Sequence, residues 1–328
     1  MSDARVRRVT AEEDGLRLDR WFKRHFPDVA FGRLQKLLRT GQVRVDGKRA
    51  KTGQRLAEGQ DVRIPPGSDR PAESGPSDTV RAVSARDAED LAGRVLHRDD
   101  DVIVLDKPAG LAVQGGSKTH RHLDGMLDAL RFGAGERPRL VHRLDKDTSG
   151  VLLLARHARA ASDLTRAFRE GSVHKLYWAA VVGTMSPRQG IIDLTLAKQP
   201  GRRGEQMAVD AGGGRRAVTG YRTVDTVGRR ASWLALEPHT GRTHQLRVHC
   251  AAAGAAILGD GKYGGEAAFL ADADLPRKLH LHARALALVL PGGGELQVRA
   301  PLPPHMRETW RTLGFSADAD ADQFLDKD

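Results

Sequence analysis

One cysteine, Cys250, stands among 328 residues. That excludes an intramolecular disulfide framework and a cysteine-rich zinc site, and it fits a packing role in a reducing compartment. No apolar h-region follows Met1, whose neighbours include Ser2, Asp3, Arg5, Arg7 and Arg8, and no apolar run reaches the roughly 18 to 20 residues of a membrane span. A soluble, cytoplasmic protein without a membrane partner is expected. Nucleotide fingerprints are missing too. Gly261-Lys262 is followed by Tyr263, Ala256 stands where the first glycine of a phosphate loop should be, and no dinucleotide motif occurs. His120 with His122 and His280 with His282 form pairs, but each has a single intervening residue and no matching carboxylate or thiolate cluster. Neither a metal nor an organic cofactor is expected. Acid is scarce as well: 53 Lys and Arg against 42 Asp and Glu leave a formal charge of +11. A polyanionic partner, most simply a nucleic acid, follows from that charge, although charge selects no activity.

The length allows two domains. Residues 65–78 are rich in proline, glycine, serine and charge without apolar periodicity, which reads as a connector. We divide the chain into a module at 1–65, a flexible linker at 66–94, a second domain at 95–315 and an acidic tail at 316–328 expected to be disordered. In the module, Leu18, Trp21 and Phe22 recur at helical spacing, residues 33–39 make a second amphipathic helix closed by Gly41, and residues 43–48 alternate around a turn at Asp46-Gly47. This order resembles an S4-type RNA-binding module. Residues 1–65 hold 16 Lys and Arg against 9 Asp and Glu, a net +7. Arg17, Arg33, Lys36, Arg39, Arg44, Lys48 and Arg49 are its candidate docking residues, making phosphate contacts that are salt dependent and largely indifferent to sequence.

In the second domain, residues 101–105 read as a strand and Ala158 to Glu170 as a helix with Ala161, Leu164 and Phe168 on one face. Strands and helices interleave without regular βαβ spacing, so an α+β domain with a large mixed or antiparallel sheet is expected. Its most informative stretch is residues 142–150, His-Arg-Leu-Asp-Lys-Asp-Thr-Ser-Gly, followed by the apolar run 151–155. Arg143 and Lys146 flank Asp145, Thr148, Ser149 and Gly150 supply turn chemistry, and the apolar run reads as a buried strand that holds the loop. By charge pattern alone an aspartate beside an arginine is an ordinary surface ion pair.

The stretch 142–150 resembles the active-site loop of the RluA-type pseudouridine synthases. Residues 106–113 resemble the first motif of that family, 174–183 its tyrosine strand, 240–249 with Gly259-Asp260 its arginine segment, and 279–283 its last motif. The resemblance covers roughly residues 95 to 310. With the S4-like module and residues 113–117, it is closest to the synthases of large-subunit ribosomal RNA, particularly the C type, with the D type next.

The resemblance implies a bent sheet crossed by the active cleft, and conversion of uridine to pseudouridine without a cofactor. It implies Asp145 as nucleophile at C1′ or base at C2′, Arg247 in a salt bridge with that aspartate, and Tyr177 stacked on the uracil with a possible part in proton removal from C5. Arg143 would enter the space vacated by a flipped uridine. His142, Thr148 and Leu246 are further substrate-binding candidates, and His244 and His249 are structural or phosphate contacts. Read as a strand, residues 175–182 place Leu176, Trp178, Ala180 and Val182 on a core face and Tyr177 on the other. The expected partner is RNA, with large-subunit rRNA favoured, and a monomer is expected. Alternatives are a tRNA synthase of the same family, a noncatalytic S4-type assembly factor, and a glycosidase or nucleosidase, which usually relies on two carboxylates.

Overall fold

A computed structural model describes residues 5–27, 29, 31–66, 84–115, 119, 121–201, 204–271, 273–290, 292–316 and 322. The chain divides into two units, Met1–Thr79 and Val80–Asp328.

The first unit runs β1 (Arg5–Arg8), α1 (Leu18–His25), α2 (Phe31–Arg39), β2 (Arg44–Val45), β3 (Lys48–Arg49) and β4 (Asp61–Ile64), with an antiparallel sheet in the order β1-β4-β2-β3. Leu18, Trp21 and Phe22 bury one stripe of α1 against Leu34 and Leu38 of α2 and Val45 and Val62 of the sheet. Asp46 and Gly47 are both left-handed, φ 48 and 71, which is the geometry a two-residue hairpin between β2 and β3 requires. Beneath α1, the buried Glu13 accepts hydrogen bonds from Trp21 Nε1 at 2.9 Å and from the Thr10 amide at 3.2 Å, and contacts His25 Nε2. Burial pushes its carboxyl up, but these bonds outweigh it and bring it down to about 2.

The proline-rich connector at 67–78 lies outside the described residues. The linker expected to reach residue 94 ends earlier, because α3 (Ala85–Ala92) forms within it. Ser84 Oγ caps the Asp87 amide at 3.1 Å, Asp87 pairs with Arg121, and Leu91 is buried against Leu123 and Leu127. The segment is helical because a serine cap precedes an alanine-rich run; its high polarity hid the single buried leucine.

The second unit continues with β5 (Val95–Arg98), β6 (Val102–Lys107), β7 (Arg139–Leu140), β8 (Ser149–Ala155), α4 (Ala158–Glu170), β9 (His174–Val182), β10 (Gln189–Gly201), β11 (Gly204–Val209), β12 (Arg215–Val227), β13 (Ala231–Pro238), α5 (Gln245–Ala252), β14 (Leu281–Val289), β15 (Glu295–Arg299) and α6 (Pro304–Leu313). Eleven strands form one sheet in the order β11-β10-β12-β13-β9-β14-β8-β6-β5, with β15 on β14 and β7 on β8. Every pairing is antiparallel except β14 with β8.

All seven residues of β8 are buried. Leu152 and Leu154 pack on Ile103, Leu105 and Leu127, while Val151 and Leu153 pack on Val102, Val104 and Leu164. At about 1.5–3 kcal/mol per fully buried aliphatic side chain, this strand is the rigid floor to which the preceding loop is fixed. On β9 the expected core face is buried and so is the other. Leu176, Trp178 and Ala180 face Trp233, Met306 and Trp310, but Ala179 and Val181 are equally buried, covered by Leu246, Cys250 and Ile257 on the other side of the sheet. The tail differs too: the Asp322 carboxylate accepts hydrogen bonds from Arg284 Nε and Nη2 at 2.8 and 2.7 Å, and that guanidinium lies 4.3 Å over the Trp178 ring. The rest of the expected tail beyond Ser316 lies outside the described residues.

Candidate active site

Residues 141–150 enter β8 as a loop pinned from beneath. His142 Nε2 accepts a hydrogen bond from the Leu153 amide at 2.8 Å and its ring stacks on Phe168 of α4 at 4.4 Å. Leu144 turns into the core. Lys107, 1% exposed, donates from Nζ to the carbonyls of Pro108, Leu111 and Lys146 at 2.9, 2.9 and 3.1 Å. Burial lowers this ammonium to about 8, with Asp147, Asp145 and Asp106 opposing. Ser149 Oγ meets His282 Nδ1 at 2.9 Å, and burial keeps that imidazole neutral at about 3. Leu144, Thr148, Ser149 and Gly150 are buried, and Arg143 and Asp145 border the cleft.

Gly150 sets the height of the loop. Its φ is 107, and a Cβ there would stand 2.1 Å from the Ala283 carbonyl oxygen. Only glycine admits this approach, at the one parallel junction of the sheet. The registers then form a single row across six strands: Tyr221 pairs with Leu236, Leu236 with Tyr177, Tyr177 with Ala283, Ala283 with Gly150 and Gly150 with Lys107. Tyr177 is therefore carried to the same line of the sheet on which the Asp145 loop ends.

Along this line lies a cleft of about 640 Å³, lined among others by His142, Arg143, Leu144, Asp145, Thr148, Lys175, Tyr177, Arg242, His244, Leu246 and Arg247. All three catalytic candidates and all four substrate-binding candidates border it. The Asp145 side chain is 19% exposed. Arg143 is exposed beside it, and Arg169, Lys175, Arg215 and Arg242 add positive charge to the walls. Burial, and then Asp145, raise the Tyr177 phenol, so it stays protonated and suits stacking better than proton abstraction. Burial, and then Lys175, push His142 down to about 3, so it carries no charge for a phosphate. His249 is likewise lowered to about 4 by burial, although Asp193 opposes, and neither ring nitrogen has a hydrogen-bond partner among the described residues.

The expected salt bridge between Arg247 and Asp145 is not where the guanidinium goes. Arg247 Nε and Nη2 donate to Asp260 Oδ2 and Oδ1 at 2.7 and 2.6 Å, and Asp260 is 1% exposed. Burial lowers the guanidinium, but its hydrogen bonds to the buried Asp260 outweigh that and raise it. Arg247 thus faces the cleft as a fixed positive charge whose remaining amino group is Nη1. Its ring neighbour is Tyr263, 5.0 Å below the guanidinium carbon. Within 4 Å of the Asp145 carboxylate lies His244 instead, with Nε2 at 3.8 Å from Oδ1. Sequence reasoning left His244 in the background and assigned nothing to Lys107 or Tyr263. Lys107 and His244 lie inside the stretches 106–113 and 240–249, and Tyr263 three residues after Asp260.

In the first unit, Arg33, Lys36 and Arg39 lie exposed on one side of α2, and Lys48 and Arg49 are exposed on β3. Two docking candidates are engaged internally: Arg17 pairs with Asp19 at 2.7 Å, and Arg44 donates to the carbonyls of Gly41 and Gly47 at 3.1 and 3.0 Å. Those bonds hold the hairpin and the helix start, while the basic residues of α2 and β3 stay exposed. Among the described residues no three His, Cys, Asp or Glu side chains gather as a metal-ligand set. His280 is bonded to Thr309 and the Lys278 carbonyl, and His120 lies outside the described residues. No helix of the described residues is long and apolar enough to cross a membrane.

Comparison with known proteins agrees on one class. The family model described as RNA pseudouridylate synthase matches residues 101–252. An uncharacterized RNA pseudouridine synthase of Synechocystis is 34% identical over 312 residues, covering 90% of this chain and 88% of that protein. Ribosomal large subunit pseudouridine synthase C of Escherichia coli is 34% identical over 320 residues, covering 93% and 95%. Among solved structures, human RNA pseudouridylate synthase domain containing 4 superposes with a TM-score of 0.57 at 28% identity, covering 69% of this chain and 95% of that one.

Proposed function

From the premise that the chain belongs to the RNA pseudouridylate synthase family and is an RNA pseudouridine synthase, we propose that it isomerises specific uridines of large-subunit ribosomal RNA, with Asp145 as the reacting carboxylate. The observation that carries the reading is the placement of Asp145. It is a carboxylate in a cation-walled cleft of nucleotide size, on a loop that Lys107, His142 and Gly150 hold rigid. The large-subunit target rests on the relatives of that name, which match nearly end to end, and a cytoplasmic enzyme is the reading that goes with it.

The reaction breaks the bond from C1′ to N1, turns the uracil and joins C1′ to C5. Asp145 attacks C1′ or removes a proton from C2′ as the base leaves. The C5 proton is lost at the end and N1 gains one, so the sum is an isomerisation. The target must leave its stack, at a cost of a few kcal/mol. Arg143, exposed beside Asp145, fills the vacated space with positive charge, and the protonated Tyr177 offers the face on which uracil stacks. Arg247, clamped by Asp260, supplies a fixed charge to the ionised carboxylate in a cleft that RNA closes. The first unit, as an S4-type module, contributes phosphate affinity through α2 and β3 without choosing the uridine.

The test is tritium release from RNA labelled at uridine C5, with large-subunit rRNA and tRNA transcripts compared for wild type and Asp145→Ala. Release from rRNA that disappears in Asp145→Ala, while RNA affinity stays, is expected. Release by the purified variant refutes the aspartate mechanism, and release from tRNA alone moves the substrate.

A further inference from the structure

With the Arg247 fork directed to Asp260, the group facing Asp145 is His244, and three features single it out. Its backbone is left-handed, φ 53 and ψ 21, at the N-cap of α5. A residue other than glycine keeps such a conformation only where its surroundings over-determine it. Its ring stands edge-on to Tyr263, 5.5 Å between centroids and 70° between planes. Its Nδ1 lies 2.5 Å from the Tyr263 hydroxyl, which in turn accepts a hydrogen bond from the Met207 amide at 3.4 Å.

This chain of contacts suits one tautomer, the one in which the Tyr263 hydroxyl donates to Nδ1. A phenol has one hydrogen, and with Met207 donating to the oxygen, Nδ1 is the acceptor within reach of that hydrogen. The imidazole proton then resides on Nε2, the nitrogen that faces Asp145. The surroundings keep the ring neutral: burial lowers its pKa, Arg247 and Lys262 act the same way, and Asp145 and Asp260 oppose them. Tyr263 remains a protonated phenol, raised chiefly by burial. At 3.8 Å the contact is longer than a hydrogen bond. Such contacts tighten when substrate closes a cleft.

We infer that His244 is a positioning residue of the isomerisation: the relay from Met207 through Tyr263 fixes its Nε2–H toward Asp145, aiming the carboxylate and favouring its ionised form when RNA excludes water. The inference rests on Asp145 being the reacting group. It assigns to a neutral donor part of the task that the motif pattern gave to Arg247.

The test is single-turnover tritium release from a large-subunit rRNA transcript labelled at uridine C5, followed from about pH 5 to 9. Full-length wild type, His244→Ala, His244→Gln, Tyr263→Phe and Asp145→Ala are compared. His244→Ala is expected to lose about 10- to 100-fold in rate, the worth of a hydrogen bond to a charged group, with RNA affinity within about twofold. The acid limb of its rate profile moves to higher pH, because the reacting carboxylate loses its donor. His244→Gln carries an N–H at similar reach and recovers most of the rate near neutrality. Tyr263→Phe shows a smaller loss with the acid limb shifted the same way. A wild-type rate in His244→Ala, or a loss uniform across pH that Gln does not restore, overturns the inference. If His244→Ala does not fold, an unmoved acid limb in Tyr263→Phe overturns it. An active Asp145→Ala instead removes the reading on which the inference rests.

Discussion

Replacing Gly150 by alanine tests the parallel junction directly. The new Cβ would lie 2.1 Å from the Ala283 oxygen, 2.8 Å from its carbonyl carbon and 2.9 Å from its nitrogen. All three are backbone atoms of β14, so no side chain can swing aside. Relief requires β8 and β14 to separate, which gives up the pairing of His282 with Ser149 and of Ala283 with Gly150 at about 1 kcal/mol per hydrogen bond. The left-handed φ of 107 adds about 1–3 kcal/mol. A destabilisation of roughly 3–5 kcal/mol follows, a large share of the 5–15 kcal/mol typical of a whole domain. Urea unfolding followed by fluorescence of the buried Trp178, Trp233 and Trp310 measures it, alongside turnover. Gly171→Ala separates strain from overlap, since φ there is 80 but nothing lies within 4 Å, and a loss of about 1 kcal/mol is expected. Should Gly150→Ala stay within about 1 kcal/mol of wild type and turn over normally, the account of how the loop is held is wrong.

Other outcomes are expected from the same structure. Asp260→Asn leaves the buried Arg247 uncompensated and should cost about 3–5 kcal/mol in urea unfolding, together with turnover; an unchanged midpoint would refute the clamp. Changing Arg33, Lys36 and Arg39 together to Gln should reduce the slope of log affinity for rRNA against log salt by about 2–3, and an unaltered slope would remove α2 from the docking surface. Glu13 is held down to about 2 in the folded state against an ordinary value of 4.5. The sign of a depressed carboxyl makes its contribution, up to roughly 3 kcal/mol, complete above pH 4.5 and lost as pH falls toward 2. Glu13→Gln should flatten the acid unfolding of the first unit, monitored at Trp21, and a parallel acid transition in both proteins would contradict the assignment.

How much was readable before the structure varies with the range of the interaction. The loop at 142–150 was legible because turn residues run directly into an apolar stretch, and local pattern suffices to say that such a strand is buried. Likewise, the hairpin at Asp46-Gly47 and the stripe on α1 follow from adjacent residues. Helix α3 was not legible: its hydrophobic content is one leucine, and its capping serine sits at the end of a polar segment. The second buried face of β9 depends on α5, which arrives some seventy residues later. The partner of Arg247 was hidden for the same reason. A guanidinium can reach either Asp145 or Asp260, and only the fold decides that the fully buried carboxylate claims it. His244 was the least readable, since its role comes from a backbone angle and a phenol nineteen positions along the chain.

The row that joins Tyr221, Leu236, Tyr177, Ala283, Gly150 and Lys107 has a consequence for local opening. These residues sit on central strands of one continuous ladder whose flanking side chains are buried on both sides. Amides there exchange with solvent only when the sheet itself opens. The stacking face and the floor of the reacting loop thus belong to one cooperative unit, and their geometry persists until that unit melts as a whole. Heat inactivation of the second unit should coincide with its global unfolding, with no earlier phase in which a folded but slackened centre loses its chemistry.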